Sequence, residues 1–419
     1  MRLRLPQAVT DDRSRRRAFA LLFATLMTTA SANTALTAVL PAIGRELGLR
    51  DTAVTAVFSL SALLFAITAP LWARLSDRRG RKPLILMGLF GSALSMAAFG
   101  LVVWAGMEGW LGAAAVFVGL LLARAIYGCT GSASHPAAQA YVADRTTPEE
   151  RTNALAILAS AFGLGTVLGP AIAPFLALPP MGLLGPLFGF AVISAVVLAV
   201  TSRGLQEPPV HSGHAAAPAQ GLWRDRRVRP FLIYGFGAVS VQAVNIACLG
   251  FLVIDVIGLP PARAQSFIGA AMMAGAASGL LAQWGLIRML RMSPRALMRW
   301  GAGLAALGNL AMAFSPDFGT VVFSYALMNL GYGFLRPGFT AGASLAVGPA
   351  AQGAVAGLLT AVIGGAFIVA PVAGVALYEW SGPVPFVICA ALCLALLFYA
   401  MASGALKRAV VPGEAPLLD

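Results

Sequence analysis

Residues 73–82 read ARLSDRRGRK, which places five cations, one carboxylate and one glycine between two long apolar stretches. These stretches, 53–73 and 84–105, each hold about the 20 residues that a helix needs to cross a bilayer. Gly80 lets the chain turn tightly between them, and the cations are costly to bury in hydrocarbon. The segment therefore predicts a helical hairpin in a membrane, with its connecting loop in water.

Composition extends this prediction to the whole chain of 419 residues. Hydrophobic residues make up 59% and charged residues 11%, against about 45–50% and about 25% in ordinary soluble domains. Too few polar side chains remain to cover a soluble surface, which excludes a cytosolic enzyme, a disordered chain and a secreted disulfide scaffold. The net charge of +13 would indicate nucleic-acid binding in a soluble protein. Here it bears on membrane orientation, and no nucleic-acid partner is expected.

The cysteines all lie inside apolar runs and show no metal-ligand spacing with histidine; they are Cys129, Cys248, Cys389 and Cys393. We interpret them as small buried hydrophobic residues, and we expect neither a metal nor another cofactor. The phosphate-binding pattern G-x-x-x-x-G-K-[ST] does not occur in the sequence, and no other motif indicates an enzyme.

The apolar stretches predict an all-α membrane protein with twelve transmembrane helices, since a β-barrel would alternate in segments of about 10 residues. Gly and Pro within the stretches are tolerated by bilayer helices. The predicted spans are 18–43, 53–73, 84–105, 110–134, 154–177, 182–202, 231–255, 264–287, 297–315, 319–345, 351–377 and 383–404.

The distribution of positive charge predicts the orientation. Of the 29 lysines and arginines, 24 fall in the termini and in the loops on one side, three fall in the opposite loops, and two lie within spans. The positive-inside rule then places both termini in the cytoplasm, which an even number of spans requires. The first span resembles a signal peptide around Ala30-Ser31-Ala32, but its apolar helix continues to Ile43, which favours retention.

An internal repeat predicts two pseudo-symmetric halves of six helices each. Prolines recur at a constant offset of 201 residues: Pro136, Pro148 and Pro170 correspond to Pro337, Pro349 and Pro371. Asn33 and Asn245 occupy similar places early in each half. The predicted organisation is a cytoplasmic tail (1–17), a first bundle (18–202), a cytoplasmic linker (203–230), a second bundle (231–404) and a second cytoplasmic tail (405–419).

The loop at 73–82 resembles the signature of the major facilitator superfamily, Gly-x-Leu-Ala-Asp-Arg-x-Gly-Arg-Lys. Asp77, Arg78, Gly80, Arg81 and Lys82 match it, whereas an alanine replaces the first glycine. The resemblance implies that the loop latches the two halves together on the cytoplasmic face in the outward-open state. Asp77 at a helix end could meet the N-terminus of a partner helix or an arginine. The alternative is that the arginines serve membrane orientation alone.

Two further segments resemble the drug:proton antiporter branch of that family, which includes the tetracycline-efflux proteins. The fourth span contains Arg124-Ala-Ile-Tyr-Gly-Cys-Thr-Gly, close to Arg-x-x-Gln-Gly-x-Gly, and 140–144 with its terminal Asp144 resembles the next stretch of those proteins. The fifth span contains Gly165, Gly169 and Pro170 of the antiporter signature Gly-x-x-x-Gly-Pro-x-x-Gly-Gly. The resemblance implies export; the alternative is a packing face of small residues, which lets another helix approach closely.

Polar residues cluster on four spans, where burial in hydrocarbon usually indicates function. The resemblance implies that spans 1, 4, 7 and 10 surround a central cavity. Alternatives remain open: the arginines could extend toward the bilayer surface, and the amides could simply bond between helices. The candidate cavity residues are Asn33, Thr37, Arg124, Gln242, Asn245, Asn329, Tyr332 and Arg336.

No Asp or Glu falls in the middle of a span, so the usual carrier of a coupling proton is missing. Candidates for that role are His135, which titrates near neutral pH, and the carboxylates Asp77, Asp144 and Asp255. A cavity with arginine and no central acid would suit an anionic or zwitterionic substrate. The sequence therefore predicts a monomeric, proton-driven exporter of small organic molecules in the bacterial inner membrane. The alternative is an importer or facilitator of a small organic anion.

Overall fold

The computed structural model describes residues 12–177, 179–207, 221–348 and 351–403. Within these residues the chain is helical, apart from short connections. Parts of all five predicted segments lie outside the described residues, and Pro349 of the internal repeat is among them. These parts are 1–11 of the first tail, 178 of the first bundle, 208–220 of the linker, 349–350 and 404 of the second bundle, and all of the tail 405–419.

Six long helices make up the first half of the chain. They are α1 (Asp12–Glu46), α2 (Asp51–Arg79), α3 (Lys82–Met107), α4 (Ala113–Asp144), α5 (Pro148–Leu176) and α6 (Leu184–Gly204). Helix α4 is interrupted by a short 3₁₀ turn at Gly131–Ala133.

Six more helices make up the second half. They are α7 (Arg229–Ile257), α8 (Pro261–Leu290), α9 (Pro294–Ala313), α10 (Phe318–Leu345), α11 (Gln352–Trp380) and α12 (Val384–Ala402). Helix α8 contains a π-helical segment, Leu281–Leu286.

Each of the twelve helices overlaps one predicted span, although several are longer than predicted; α4 continues to Asp144, ten residues past the predicted end of its span. Eleven of them are long and apolar enough to cross a membrane by length and composition. Helix α9 is the twelfth, and Arg299 and Asn309 lower its hydropathy. Asn309 is fully buried, so its polarity faces protein rather than lipid. The prediction of an all-α membrane protein with twelve helices is confirmed.

Side chains satisfy the first amide groups of several helices, which have no partner inside the helix. The Thr147 hydroxyl accepts from the Glu150 amide at the start of α5 (3.4 Å), and Ser293 accepts from the Ala296 amide before α9 (3.3 Å). Asp317 accepts from the Thr320 amide before α10 (2.9 Å), and this hydrogen bond lowers the pKa of Asp317. These caps set where the helices begin.

The connections lie at two opposite ends of the bundle. We call the end with the connections 80–81, 145–147 and 291–293 the basic end, and the end with 47–50, 258–260 and 381–383 the far end. Helices α1, α2 and α5 of the first half pack against α7, α8 and α11 of the second. At Gly250 of α7, a Cβ atom would collide with Pro41 of α1, so the two halves are in close contact near the far end.

Candidate functional site

Arg124 on α4 is the most deeply enclosed cation of the described chain, with 1% of its surface exposed. Its Nη2 donates to Asn33 Oδ1 on α1 at 2.7 Å. The guanidinium also lies 4.6 Å from the ring centre of Tyr127 and 5.3 Å from that of Phe58 on α2, where aromatic faces attract a cation. An amide and two aromatic rings therefore hold the positive charge.

The remaining polar atoms of Arg124 are available for another partner. Its Nε and Nη1 are buried and have no hydrogen-bond partner in the described part of the chain. An arginine carries five N–H donors and usually satisfies them when buried. No carboxylate among the described residues neutralises the guanidinium, so Arg124 keeps N–H donors that no protein acceptor satisfies in this structure.

A second polar cluster lies in the other half, at the place that corresponds to Asn33. Asn245 on α7 is 1% exposed, and its Nδ2 donates to Asn309 Oδ1 on α9 (2.9 Å) and to the Tyr332 hydroxyl on α10 (2.6 Å). Asn309 also contacts the Tyr332 hydroxyl through its Nδ2, at 3.3 Å. Each half thus joins an asparagine of its first helix to a polar side chain of its fourth.

The other candidate cavity residues are less completely enclosed. Thr37 and Gln242 are half-buried, and the Thr37 hydroxyl donates to the Thr34 carbonyl within α1 (2.6 Å). Asn329 Nδ2 donates to the Tyr325 carbonyl within α10 (2.8 Å). Arg336, two turns further along α10, is exposed, and no acidic partner faces it among the described residues. It is therefore accessible in a way that Arg124 is not.

Arg81 is the centre of the signature loop. Its Nη1 donates to Asp77 Oδ1 (2.5 Å) and its Nε donates to Asp144 Oδ2 at the end of α4 (3.0 Å). Burial by itself lowers the pKa of Arg81, but the hydrogen bonds to the two carboxylates outweigh it and raise the pKa. Asp77 therefore pairs inside the first half in this structure. Arg78 is exposed at the surface.

Glu207, just after α6, holds the turn of this loop. Its Oε1 accepts from the Arg81 amide (2.5 Å) and its Oε2 from the Lys82 amide (2.9 Å), at the first turn of α3. Gly80 has a φ of 96°, and a Cβ there would lie 2.6 Å from Glu207 Oε1. The site needs glycine both for its backbone conformation and for the close carboxylate.

His135 lies in α4 just beyond the 3₁₀ turn and is half-buried. Its ring packs edge to face against Phe162 of α5, with 5.7 Å between the ring centres.

The small residues of α5 bring its backbone against α1. A Cβ at Gly165 would collide with the Met27 carbonyl oxygen, and a Cβ at Gly169 would collide with the Ser31 carbonyl oxygen. One turn of the same helix, at Pro170 and Pro174, lies against Gly269 of α8 in the other half. This helix therefore contacts both α1 and the opposite half.

Sequence reasoning missed several residues of these clusters. Asn309 is the one polar residue in the apolar stretch 300–313 of α9, which was a usable signal for a buried contact. Glu207 precedes Pro208 at the start of the linker and gave no such signal. The described chain contains no group of three or more His, Cys, Asp or Glu that could hold a metal ion.

Comparisons with known proteins agree with these features of the structure: the two sets of six helices, the enclosed Arg124 and the loop around Arg81. The family model described as the Major Facilitator Superfamily matches residues 21–293, well over half of the chain. The chain belongs to the major facilitator superfamily. It is therefore a multi-pass membrane transporter of the secondary type and not an enzyme.

Relatives within the family are named for drug resistance. The tetracycline resistance protein, class G, of Vibrio anguillarum is 27% identical over 372 residues, which cover 82% of this chain and 87% of that protein. Multidrug resistance protein 2 of Bacillus subtilis (strain 168) is 27% identical over 352 residues, which cover 80% and 81%. These similarities support membership of the drug-efflux part of the family.

A solved structure shows the same fold. A bacterial homologue of the human lysosomal transporter Spinster, in an inward-facing and unoccupied conformation, superposes with a TM-score of 0.71 at 16% sequence identity. The superposition covers 94% of this chain and 98% of that structure. The major facilitator fold predicted from the sequence is confirmed.

Proposed function

We propose that this protein exports small organic molecules across the bacterial inner membrane, in exchange for protons, by alternating access. The proposal places the basic end in the cytoplasm and the far end on the outside, and it takes a monomer as the transporting unit. Both termini are then cytoplasmic.

The observation that carries the proposal is the enclosed, partly unsatisfied guanidinium of Arg124. Keeping an isolated cation in the middle of a bilayer costs at least about 2.5–3.5 kcal/mol on insertion scales. Asn33 supplies one hydrogen bond, which leaves two nitrogens without a protein partner in the described chain. A substrate with an anionic or strongly accepting oxygen would complete the site.

Orientation is supported by charge. Twenty-four of the 29 lysines and arginines lie in the termini and in the loops that we assign to the cytoplasm. Such a bias follows the positive-inside rule for membrane insertion. Export is supported by the resistance names of the relatives and by the glycines of α5 that match the antiporter signature.

Proton coupling is supported mainly by the family resemblance. Among the candidate carriers, Asp77 and Asp144 share Arg81, and Asp255 pairs with Arg45 on another helix. His135 has no such ion pair among the described residues, so its proton can be gained and lost without breaking one. We therefore favour His135 as the residue that responds to pH.

The second candidate function is import or facilitated passage of a small organic anion. The exposed Arg336 favours it, since this cation on α10 has no acidic partner in the described chain. A substrate anion that binds Arg336 first and Arg124 afterwards would need no proton exchange.

The test uses everted membrane vesicles and a panel of labelled compounds that begins with tetracycline. The exporter should accumulate its substrate inside the vesicles when a pH gradient is present, and dissipating the gradient should abolish accumulation. Arg124→Gln should remove at least about 90% of the activity at equal protein level. Arg203→Gln, which changes an exposed cation at the end of α6, should not. Uptake that is equal with and without a gradient would favour the organic-anion facilitator.

A further inference from the structure

We propose that Arg45, Asp255, Thr52 and Glu379 form a gate at the far end of the transporter. When it is closed, the gate stabilises the inward-facing state. It opens each time the substrate leaves the transporter. We call these four residues the far-end gate. The proposal rests on the alternating access of the proposed function, and it assigns residues that none of the family signatures contains.

The first contact of the far-end gate crosses from α1 to α7. Arg45 Nη1 donates to Asp255 Oδ1 at 2.9 Å, and its Nη2 lies 3.3 Å from Asp255 Oδ2. The two residues are 210 positions apart and belong to different halves. This ion pair can persist only while the outer ends of α1 and α7 stay together.

Neighbouring groups hold both partners in place. Asp51, at the start of α2, accepts from Arg45 Nε (2.8 Å) and Nη2 (2.7 Å), which fixes the guanidinium from its own half. The Tyr378 hydroxyl on α11 donates to Asp255 Oδ2 (2.7 Å), which fixes the carboxylate from the other half. Each half therefore presents a pre-oriented charge to the other, and such pre-orientation strengthens a charge pair.

The second contact of the far-end gate joins α2 to α11. Glu379 Oε1 accepts from the Thr52 backbone amide at 2.8 Å, and its two oxygens lie 3.3 and 3.2 Å from the Thr52 hydroxyl. Thr52 is in the first turn of α2, where free amides and the helix dipole favour a carboxylate. Glu379, in the last turn of α11, therefore caps a helix of the opposite half.

This contact mirrors the chemistry of Asp77. Helices α2 and α11 pack against each other and run in opposite directions between the two ends. Each carries a carboxylate near its C-terminal end, Asp77 on α2 and Glu379 on α11, beside the end of the bundle where the other helix begins. In this structure Glu379 binds across the halves, whereas Asp77 binds Arg81 within its own half.

Alternation follows from this arrangement. Rocking the two halves about their middle separates one pair of helix ends as it brings the other pair together. Breaking the far-end gate would thus accompany engagement of Asp77 with the start of α11. The two carboxylates then act as opposed latches on one pair of helices, one for each state.

The experiment measures how often the far end opens. A reporter cysteine replaces Ala38, which is 1% exposed and lies on the same face of α1 as Pro41 and Arg45 at helical spacing. The four native cysteines are first replaced by alanine. Intact cells and everted vesicles are then treated with a membrane-impermeant maleimide, and the labelling rate is compared between variants at equal protein amount.

In intact cells, Glu379→Gln should raise the labelling rate about twofold to fivefold, as expected for a carboxylate at a helix end. Asp255→Asn should raise it about fivefold to tenfold. Asp77→Asn should lower it, since it weakens the opposing latch. Glu108→Gln changes an exposed far-end carboxylate at the end of α3 and should leave the rate unchanged.

If Glu379→Gln and Asp255→Asn are labelled at the rate of the parent protein, the proposal of the far-end gate is wrong. Glu379→Gln provides the answer if Asp255→Asn lowers the amount of folded protein. The readout needs no substrate, so a failure of drug export or proton exchange leaves it intact. Labelling confined to everted vesicles would refute the proposed orientation, and the ratios between variants would still decide the gate.

Discussion

Replacing Arg124 separates a functional role from a structural one. If Arg124 has a structural role, removing it should destabilise the fold. If Arg124 serves to bind substrate, its buried charge should lower the stability of the fold while it is present. The change to test is Arg124→Gln, with Arg124→Lys as the variant that keeps a charge but loses the planar fork of donors.

The expected change in the free energy of unfolding follows from the contacts of Arg124. The hydrogen bond from Arg124 to Asn33 contributes roughly 1.5–3 kcal/mol because the donor is charged, and the two aromatic contacts contribute about 0.5–2 kcal/mol each. Against this stands the cost of the buried cation, about 2.5–3.5 kcal/mol or more. Together the contacts contribute about 2.5–7 kcal/mol, which offsets the cost of the buried cation with a surplus of about 2 kcal/mol at the middle of the ranges. Arg124→Gln should therefore lower the free energy of unfolding by about 2 kcal/mol.

The assay pairs two measurements on the same preparations. Thermal unfolding in detergent, followed by loss of the monodisperse peak, should shift by only a few degrees for Arg124→Gln. Transport in vesicles should fall by at least about tenfold, while Arg124→Lys should keep partial activity. A large loss of stability with normal transport by the surviving protein would refute the substrate-binding role of Arg124.

Three further outcomes are expected. His135→Gln should flatten the dependence of transport on pH between about 5 and 8, as measured in vesicles; an unchanged profile would return the proton role to the carboxylates. Gly169→Ala should reduce the amount of folded protein and its transport, because the added Cβ collides with the backbone of α1. Gly163→Ala should behave as the parent protein, since a Cβ there meets no atom within 4 Å. Equal behaviour of the two variants would contradict the packing of α5 against α1. Gln265→Leu should raise thermal stability by an amount equivalent to about 1–3 kcal/mol, because the buried Gln265 amide has no partner within the described residues; a fall in the unfolding temperature would show that the amide is satisfied.

Hydropathy and charge were sufficient to predict the helices. The span predicted at 231–255 is observed as Arg229–Ile257, and that at 319–345 as Phe318–Leu345. The helices extend past the predicted ends where polar residues continue the backbone into water, as at Arg79 at the end of α2. The length and polarity of a helix depend on residues that are neighbours along the chain, so a single sequence is enough to predict them.

Contacts between residues far apart in the chain could not be predicted from the sequence. The pair Arg45–Asp255 and the contact Thr52–Glu379 join residues 210 and 327 positions apart, and only the packing of the halves brings them together. The π-helical segment Leu281–Leu286 of α8 contains Gly285 and no proline. A single glycine does not separate it from an ordinary helix turn, because many of the other helices of this chain contain glycines as well. Composition predicts that a polar residue needs a partner, but the fold decides which one.

Exchange of substrate for protons is the central step of the proposed transport cycle. The decisive measurement uses purified protein in liposomes that contain a pH-sensitive dye and have no initial gradient. An inwardly directed substrate gradient should drive proton exit, so the interior becomes alkaline as substrate enters, and Arg124→Gln should abolish the signal. Substrate entry with no change of internal pH would contradict proton antiport and favour the facilitator.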